Sequence, residues 1–189
     1  MVSRGSSVRY NSLEHLKKWK QTKQYPQIHN KIYTLVENYL TGNSVLDLCC
    51  STGLLGHRVK HHLGIEAIGL DADHKAIVAS QEHHNLKIIP YKIEPQNMSG
   101  LFAIISQYKI DTLIARRCIP EIFGENILAG HYFSAMLAKA NVKQIFLQGR
   151  VLTKNSTHPL KSVACEVDLF KKDYLVFRAY KDVACLYRK

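Results

Sequence analysis

The sequence has no long apolar run, few acidic residues and no cysteine pattern typical of a disulfide framework. No stretch approaches the roughly 18–20 apolar residues that a membrane helix needs, and the first seven residues lack the apolar core of a secretion signal. The five cysteines are an odd number without a C-x-x-C pair. This argues against a zinc site and for reduced thiols, so we expect a cytoplasmic protein without a membrane segment or a metal.

The shortage of acidic residues gives the chain a strong positive charge. It has 26 Lys and Arg against 15 Asp and Glu, a net charge of +11. Such a balance favours a polyanionic partner, which is a nucleic acid or a phosphorylated metabolite. A basic protein without such a partner is the alternative. The length of 189 residues and the 46% hydrophobic content fit one folded domain and exclude a disordered chain.

Short apolar runs alternate with helix-like stretches, which indicates βαβ crossovers and a mostly parallel sheet with helices on both faces. The predicted strands cover residues 44–48, 66–70, 86–89, 112–115, 144–147, 174–179 and 183–187. Helices are predicted over 54–63, 74–84, 99–108, 121–140 and about 160–171. The last two strands are separated by three residues, so we expect an antiparallel hairpin. The prediction is a doubly wound α/β fold of about seven strands.

Residues 1–42 are predicted as an N-terminal helical segment, and residues 43–189 as the α/β domain. Within residues 1–33, seven basic residues and one acidic residue are interleaved with the aromatic side chains of Tyr10, Trp19 and Tyr25. This pattern suits contact with a nucleic acid, and it equally suits a lid over a cofactor or a solvated helix face. The candidate substrate-binding residues here are Tyr10, Lys17, Lys18 and Lys20.

The segment from Val45 to Gly53 carries the chemistry. A buried strand runs into small residues and then a helix, and ligands of open parallel sheets bind at such strand ends. The glycine fingerprint of dinucleotide-binding folds is absent. Asp47 would repel a pyrophosphate and attract an ammonium group, which favours an aminoacyl-bearing cofactor. Asp71 ends the second strand, where a carboxylate accepts hydrogen bonds from ribose hydroxyls. The structural alternatives to ligand binding are that Asp47 caps the next turn and that Asp71 caps the next helix.

Val45–Gly53 resembles the first motif of the class I S-adenosylmethionine-dependent methyltransferases, and residues 68–71 resemble their ribose-binding acid. The terminal hairpin also matches, so the resemblance covers about residues 42–189. Cys49 and Ser51 stand where the family usually has glycine. The resemblance implies that S-adenosylmethionine is the cofactor and S-adenosylhomocysteine the product. The cofactor-binding residues that it implies are Asp47, Cys49, Ser51, Gly53, Asp71, Ala72, Tyr91 and Arg116.

In this architecture the acceptor sits beyond the fourth strand, which leads into Arg116 and Arg117. The Asn/Asp-Pro-Pro-aromatic tetrad of amino-methylating enzymes and the Pro-Cys motif of cytosine attack are both missing. The two arginines could clamp phosphate or carboxylate, with Arg117 on the substrate. Arg116 and Glu121 are the catalytic candidates, although an arginine paired with an acid is the structural alternative. The possible proton acceptors are Glu121, His131, His158 and Tyr91.

The resulting hypothesis is a methyltransferase whose acceptor is a nucleic acid. A small anionic metabolite is the alternative acceptor, and a cofactor-binding module without methyl transfer is the alternative function. Cys49, Cys50 and Cys118 are expected to be buried packing residues at strand ends and not nucleophiles. The oligomeric state stays open.

Overall fold

The computed structural model of the protein describes residues 29–149 and 158–189. The strands are β1 (Ser44–Leu48), β2 (Glu66–Asp71), β3 (Ile88–Pro90), β4 (Thr112–Arg116), β5 (Gln144–Gln148), β6 (Tyr174–Ala179) and β7 (Val183–Arg188). The α-helices are α1 (Asn30–Tyr39), α2 (Leu54–Leu63), α3 (His74–His83), α4 (Met98–Gln107), α5 (Ile119–Phe123), α6 (Ile127–Lys139) and α7 (Val163–Asp168). One 3-10 turn, Pro95–Asn97, precedes α4.

The seven strands form one sheet in the order β3-β2-β1-β4-β5-β7-β6. The first five strands run parallel, and β7 lies antiparallel between β5 and β6. The chain therefore starts in the middle of the sheet, builds outward to β3, and then crosses back to β4. The predicted fold class, with its antiparallel C-terminal hairpin, is confirmed. At the point where the direction reverses, the carboxyl ends of β1, β2 and β4 lie side by side, which is where open sheets bind ligands.

Each face of the sheet has its own apolar core, as expected for strands that are buried on both sides. One face packs Leu46 and Leu48 of β1 against α4, α5, α6 and α7. On the opposite face, Val45 of β1 packs against α1 and α2. Asp47 follows Leu46, so its side chain points to the face of α1 and α2.

The C-terminal end of α1 is tied to the sheet by a buried glutamine. Gln144 Nε2 donates to the Tyr39 carbonyl at 2.6 Å, and its Oε1 accepts from the Thr41 amide at 3.0 Å. Tyr187 of β7 adds a hydrogen bond to the same Tyr39 carbonyl at 2.7 Å. Near its other end, Lys31 pairs with Asp182 at 3.0 Å. These contacts bring the start of α1 to the carboxyl edge of the sheet.

The single helix predicted over residues 121–140 is wrong, because two helices occupy this region. Gly124 follows α5 with φ +55° and ψ −122°, a backbone conformation that glycine adopts readily and that ends the helix. Asn126 then begins α6, and its side chain accepts the Ala129 amide at 3.0 Å. Elsewhere α7 and β3 are shorter than predicted, at Val163–Asp168 and Ile88–Pro90. Most of the predicted segment 1–42 lies outside the described residues.

Candidate active site

The loop between β1 and α2 has three residues in the left-handed region. The φ angles are +50° at Cys49, +53° at Ser51 and +74° at Gly53. The Cys50 amide donates to the Leu70 carbonyl at 3.0 Å, and the Gly53 amide donates to the Cys50 carbonyl at 2.9 Å. The loop thus folds back on β2 and delivers Gly53 to the start of α2. Left-handed backbone favours glycine, so Cys49 and Ser51 occupy positions whose geometry explains the glycines of the resembled motif.

Asp47 is buried beneath this loop. Its Oδ2 accepts the Gly56 amide of α2 at 3.2 Å, so it does tie β1 to the following helix. Burial raises the pKa of Asp47 to about 7, while the Gly56 hydrogen bond and the charge of Arg116 oppose that shift. A cation brought to this carboxyl would favour its ionised form. The Asp47 side chain therefore makes a structural hydrogen bond, and it would also ionise when an ammonium group binds beside it.

Asp71 links the loop to the end of β2. Its Oδ2 accepts the Ser51 amide at 2.7 Å, and its Oδ1 accepts the Asp73 amide at 2.8 Å. Burial raises the pKa of Asp71, and these two hydrogen bonds oppose the shift. The cap of α3 is Asp73, whose Oδ1 accepts from the amides of Lys75 and Ala76 at 2.9 and 3.4 Å. Asp71 is thus not needed as a helix cap.

Ala72 and Tyr91 border Asp71. Ala72 is exposed, and the Tyr91 amide donates to the Asp71 carbonyl at 2.9 Å. The Tyr91 ring lies against Gly100 of α4, and its hydroxyl donates to the Asn97 carbonyl. The structure therefore brings the Tyr91 backbone to the strand ends and turns its ring toward α4.

Arg116 and Arg117 end β4 beside this loop. Arg116 is half-buried, and its charge lowers the pKa of Asp47, which places the two groups close together. Arg117 is exposed, has φ +57°, and donates its amide to the Gln148 carbonyl at 2.6 Å. Glu121 is exposed in the first turn of α5. The described part of the chain therefore brings together Asp47, Asp71, Arg116 and the loop, with Arg117 at the rim.

His29 is a member of this region that sequence reasoning missed. It precedes α1, and burial together with the charges of Arg116, Arg58 and Arg117 holds its pKa well below the usual range. The imidazole is therefore neutral at physiological pH. Only the packing of α1 across the sheet brings it near Arg116, and no local pattern around His29 signals this.

The three cysteines near the strand ends differ in exposure. Cys50 and Cys118 are buried, whereas Cys49 is exposed, so the predicted burial of Cys49 is wrong. Burial raises the pKa of the Cys50 thiol. The pKa of the Cys118 thiol is raised mainly by a hydrogen bond with Cys49 and, second, by burial. Both buried thiols therefore stay protonated, and neither is activated as a nucleophile.

Two of the remaining candidates make hydrogen bonds to backbone groups. His131 Nδ1 contacts the Leu169 carbonyl at 3.1 Å, and His158 Nδ1 accepts the Leu160 amide at 3.0 Å. Tyr10, Lys17, Lys18 and Lys20 lie outside the described residues. Within residues 29–149 and 158–189, no group of three His, Cys, Asp or Glu side chains could hold a metal ion. No helix in those ranges is long and apolar enough to cross a membrane.

No protein-family model and no curated protein matches this sequence. Solved structures do resemble the fold. A TehB-like S-adenosylmethionine-dependent methyltransferase from Corynebacterium glutamicum is 11% identical with TM-score 0.60, covering 94% of this chain and 98% of that one. Magnesium protoporphyrin IX methyltransferase from Synechocystis, solved with bound S-adenosylhomocysteine, is 14% identical with TM-score 0.59, covering 87% and 83%. The PH0226 protein from Pyrococcus horikoshii is 13% identical with TM-score 0.61, covering 88% and 92%.

These similarities, together with the strand order, show that the chain has the class I S-adenosylmethionine-dependent methyltransferase fold.

Proposed function

We propose that this chain is an S-adenosylmethionine-dependent methyltransferase. The observation that carries the proposal is the loop of residues 49–53, which has three left-handed residues and is held between Asp47 and Asp71. It lies at the reversal point of a class I fold, and one solved structure of this fold contains bound S-adenosylhomocysteine. The five free cysteines fit a reducing, cytoplasmic compartment.

In this proposal Asp71 holds the ribose of the cofactor. Backbone amides already orient both carboxylate oxygens, and a ribose hydroxyl would donate a further hydrogen bond to this carboxylate. The exposed Ala72 beside Asp71 leaves room for the nucleoside. The carboxylate that holds the loop would therefore also bind the ribose. Loop conformation and cofactor affinity thus depend on one residue, Asp71.

Asp47 and Arg116 suit the amino-acid end of the cofactor. The ammonium group would stabilise the ionised form of Asp47, whose pKa burial raises to about 7. Arg116, close enough to influence that pKa, is the matching cation for the cofactor carboxylate. The buried acid and the half-buried base thus form a complementary pair for a zwitterion.

The bound cofactor supplies a methyl group that its sulfonium already activates. The chain's task is to align an acceptor atom with that methyl group and to exclude water. Among the proton-acceptor candidates, Tyr91, His131 and His158 direct polar atoms at backbone groups. Glu121 is exposed in the first turn of α5, four residues after Arg117, and we propose it as the acceptor of a substrate proton.

We assign the acceptor to the anionic molecules, with nucleic acid as the first class. Arg117 is exposed at the strand end next to Arg116, and the chain carries a net charge of +11. The basic N-terminal segment, residues 1–42, would extend this surface over the acceptor. A small anionic metabolite is the second candidate class, because the same guanidinium groups bind phosphate or carboxylate on any molecule.

The test is methyl transfer from labelled S-adenosylmethionine to total RNA, genomic DNA and a small-metabolite extract. We expect label in a nucleic acid, and Arg117→Ala should reduce transfer at least about tenfold because it removes a charged hydrogen-bond donor. Lys139→Ala is the matched control, because Lys139 is exposed at the end of α6, near the start of β5 and away from the site. Label in the metabolite fraction alone would select the small acceptor. Cofactor binding without any transfer would favour a binding module.

A further inference from the structure

We propose that Cys49 and Cys118 form a dithiol site, which two-electron oxidants of the peroxide class convert into a disulfide. This inference stands on the geometry of the two thiols and does not depend on methyl transfer. The bond would join the loop of residues 49–53 to the turn after β4.

The sheet register brings the two cysteines together. Leu48 of β1 is paired with Ala115 of β4; Cys49 follows Leu48 directly, and Cys118 comes three residues after Ala115. Cys118 Sγ lies 3.8 Å from the Leu48 carbonyl oxygen and makes a side-chain hydrogen bond with Cys49. The hydrogen bond between the two thiols holds their sulfur atoms close together, as the short Cβ separation of a disulfide requires.

The unequal exposure of the two thiols sets the order of events. Cys49 is exposed and meets the oxidant first, whereas Cys118 is buried behind it. The Cys49 thiolate attacks one peroxide oxygen, the O–O bond breaks, and a sulfenic acid and hydroxide form. The protonated Cys118 thiol then attacks the Cys49 sulfur without prior activation, its proton passes to the departing hydroxyl group as the S–O bond breaks, and water leaves. In total, two thiols and one hydrogen peroxide give one disulfide and two waters.

The other cysteines have different neighbours. The Cys50 thiol contacts the Ser51 carbonyl at 3.7 Å and packs against Gly69 on the opposite face of the sheet. Cys165 lies beside Ser162 on α7, and Cys185 accepts from Gln144. The structure therefore favours Cys118, and not the adjacent Cys50, as the partner of Cys49.

Peptide mapping tests this pairing in the intact protein. After treatment with hydrogen peroxide and blocking of free thiols with N-ethylmaleimide, the protein is digested with trypsin without reduction. Cys49 and Cys50 fall in tryptic peptide 32–58, and Cys118 falls in peptide 118–139. We expect these two peptides to be joined by a disulfide that dithiothreitol removes.

Three variants assign the sulfur atoms. Cys49→Ser and Cys118→Ala should abolish the joined species, and Cys50→Ser should retain it. A disulfide within peptide 32–58, a joined species that persists in Cys49→Ser, or a Cys118 that stays fully alkylated after oxidation of the wild type would each overturn the proposal. The wild-type map decides the question even if the variant of the buried Cys118 fails to fold.

Discussion

Replacing Ser51 with glycine should stabilise the fold, because Ser51 holds φ +53° in a loop that glycine adopts without strain. A non-glycine residue in the left-handed region costs about 1–2 kcal/mol. Glycine also gives the unfolded chain more freedom, which removes about 0.4–1 kcal/mol of the gain. The amide that donates to Asp71 at 2.7 Å is kept in the variant. The expected net change is about 1 kcal/mol in favour of Ser51→Gly, or about 2–4 °C in Tm for a domain of this size.

Urea denaturation followed by circular dichroism measures this change. Ala103→Gly is the control, because Ala103 is exposed in the middle of α4, where glycine should lower the free energy of unfolding by about 0.5–1 kcal/mol. Introducing glycine should thus have opposite effects on stability at the two positions. A Ser51→Gly variant that is destabilised as much as Ala103→Gly would show that the loop is not strained at Ser51.

Three further predictions concern charge and packing around the site. The folded pKa of Asp47, about 7, lies above its unfolded value of 3.8, so the folded state keeps a proton that the unfolded state releases, and stability should fall as pH rises from about 4 to 7. In urea titrations at pH 5, 6 and 7, Asp47 should contribute a loss of about 1.4 kcal/mol per pH unit to the pH dependence of stability, and Asp47→Asn should remove this contribution; equal slopes in the two proteins would contradict the assignment. Gly69→Ala would press a methyl group onto the Cys50 thiol and should cost about 1–3 kcal/mol by thermal denaturation, and Cys50→Ala in the same chain should recover part of it; no recovery would refute this contact. Changing Lys17, Lys18 and Lys20 together to Ala should flatten the plot of log binding constant against log salt concentration, with a change in slope of about 0.9 for each duplex phosphate that these lysines neutralise. Fluorescence anisotropy measures this slope, and an absence of binding at low salt would favour the small acceptor.

The fold could be predicted because its strands are short apolar runs between helix-like stretches. The apolar residues Val45, Leu46 and Leu48 predict a buried strand without any information about the rest of the chain. The three residues between β6 and β7 are too few for a crossover and therefore predict a hairpin. The split between α5 and α6 was missed although Gly124 and Asn126 are ordinary stop and start signals. Apolar spacing on both sides of that break masked them.

The site was predictable only where it is continuous in sequence. Asp47, Gly53 and Asp71 follow strands, so their meeting at the carboxyl edge follows from parallel topology. Three close approaches could not be predicted, because they depend on where side chains from different helices and strands point. They are the approach of Arg116 to Asp47, that of His29 to Arg116 and that of Cys49 to Cys118. The position of the Tyr91 ring could not be predicted from sequence either, because its packing on Gly100 depends on where α4 lies.

Calorimetric titration of S-adenosylhomocysteine into the purified protein tests the central claim most directly. We expect the wild type to bind, and Asp71→Ala to bind at least about tenfold more weakly, because hydrogen bonds to a charged group contribute about 1.5–3 kcal/mol. Asp73→Ala is the control, since it removes the cap of α3 and should lower stability by about 1 kcal/mol while leaving the affinity unchanged. A wild type that does not bind, or a folded Asp71→Ala variant with unchanged affinity, would contradict the proposed cofactor site.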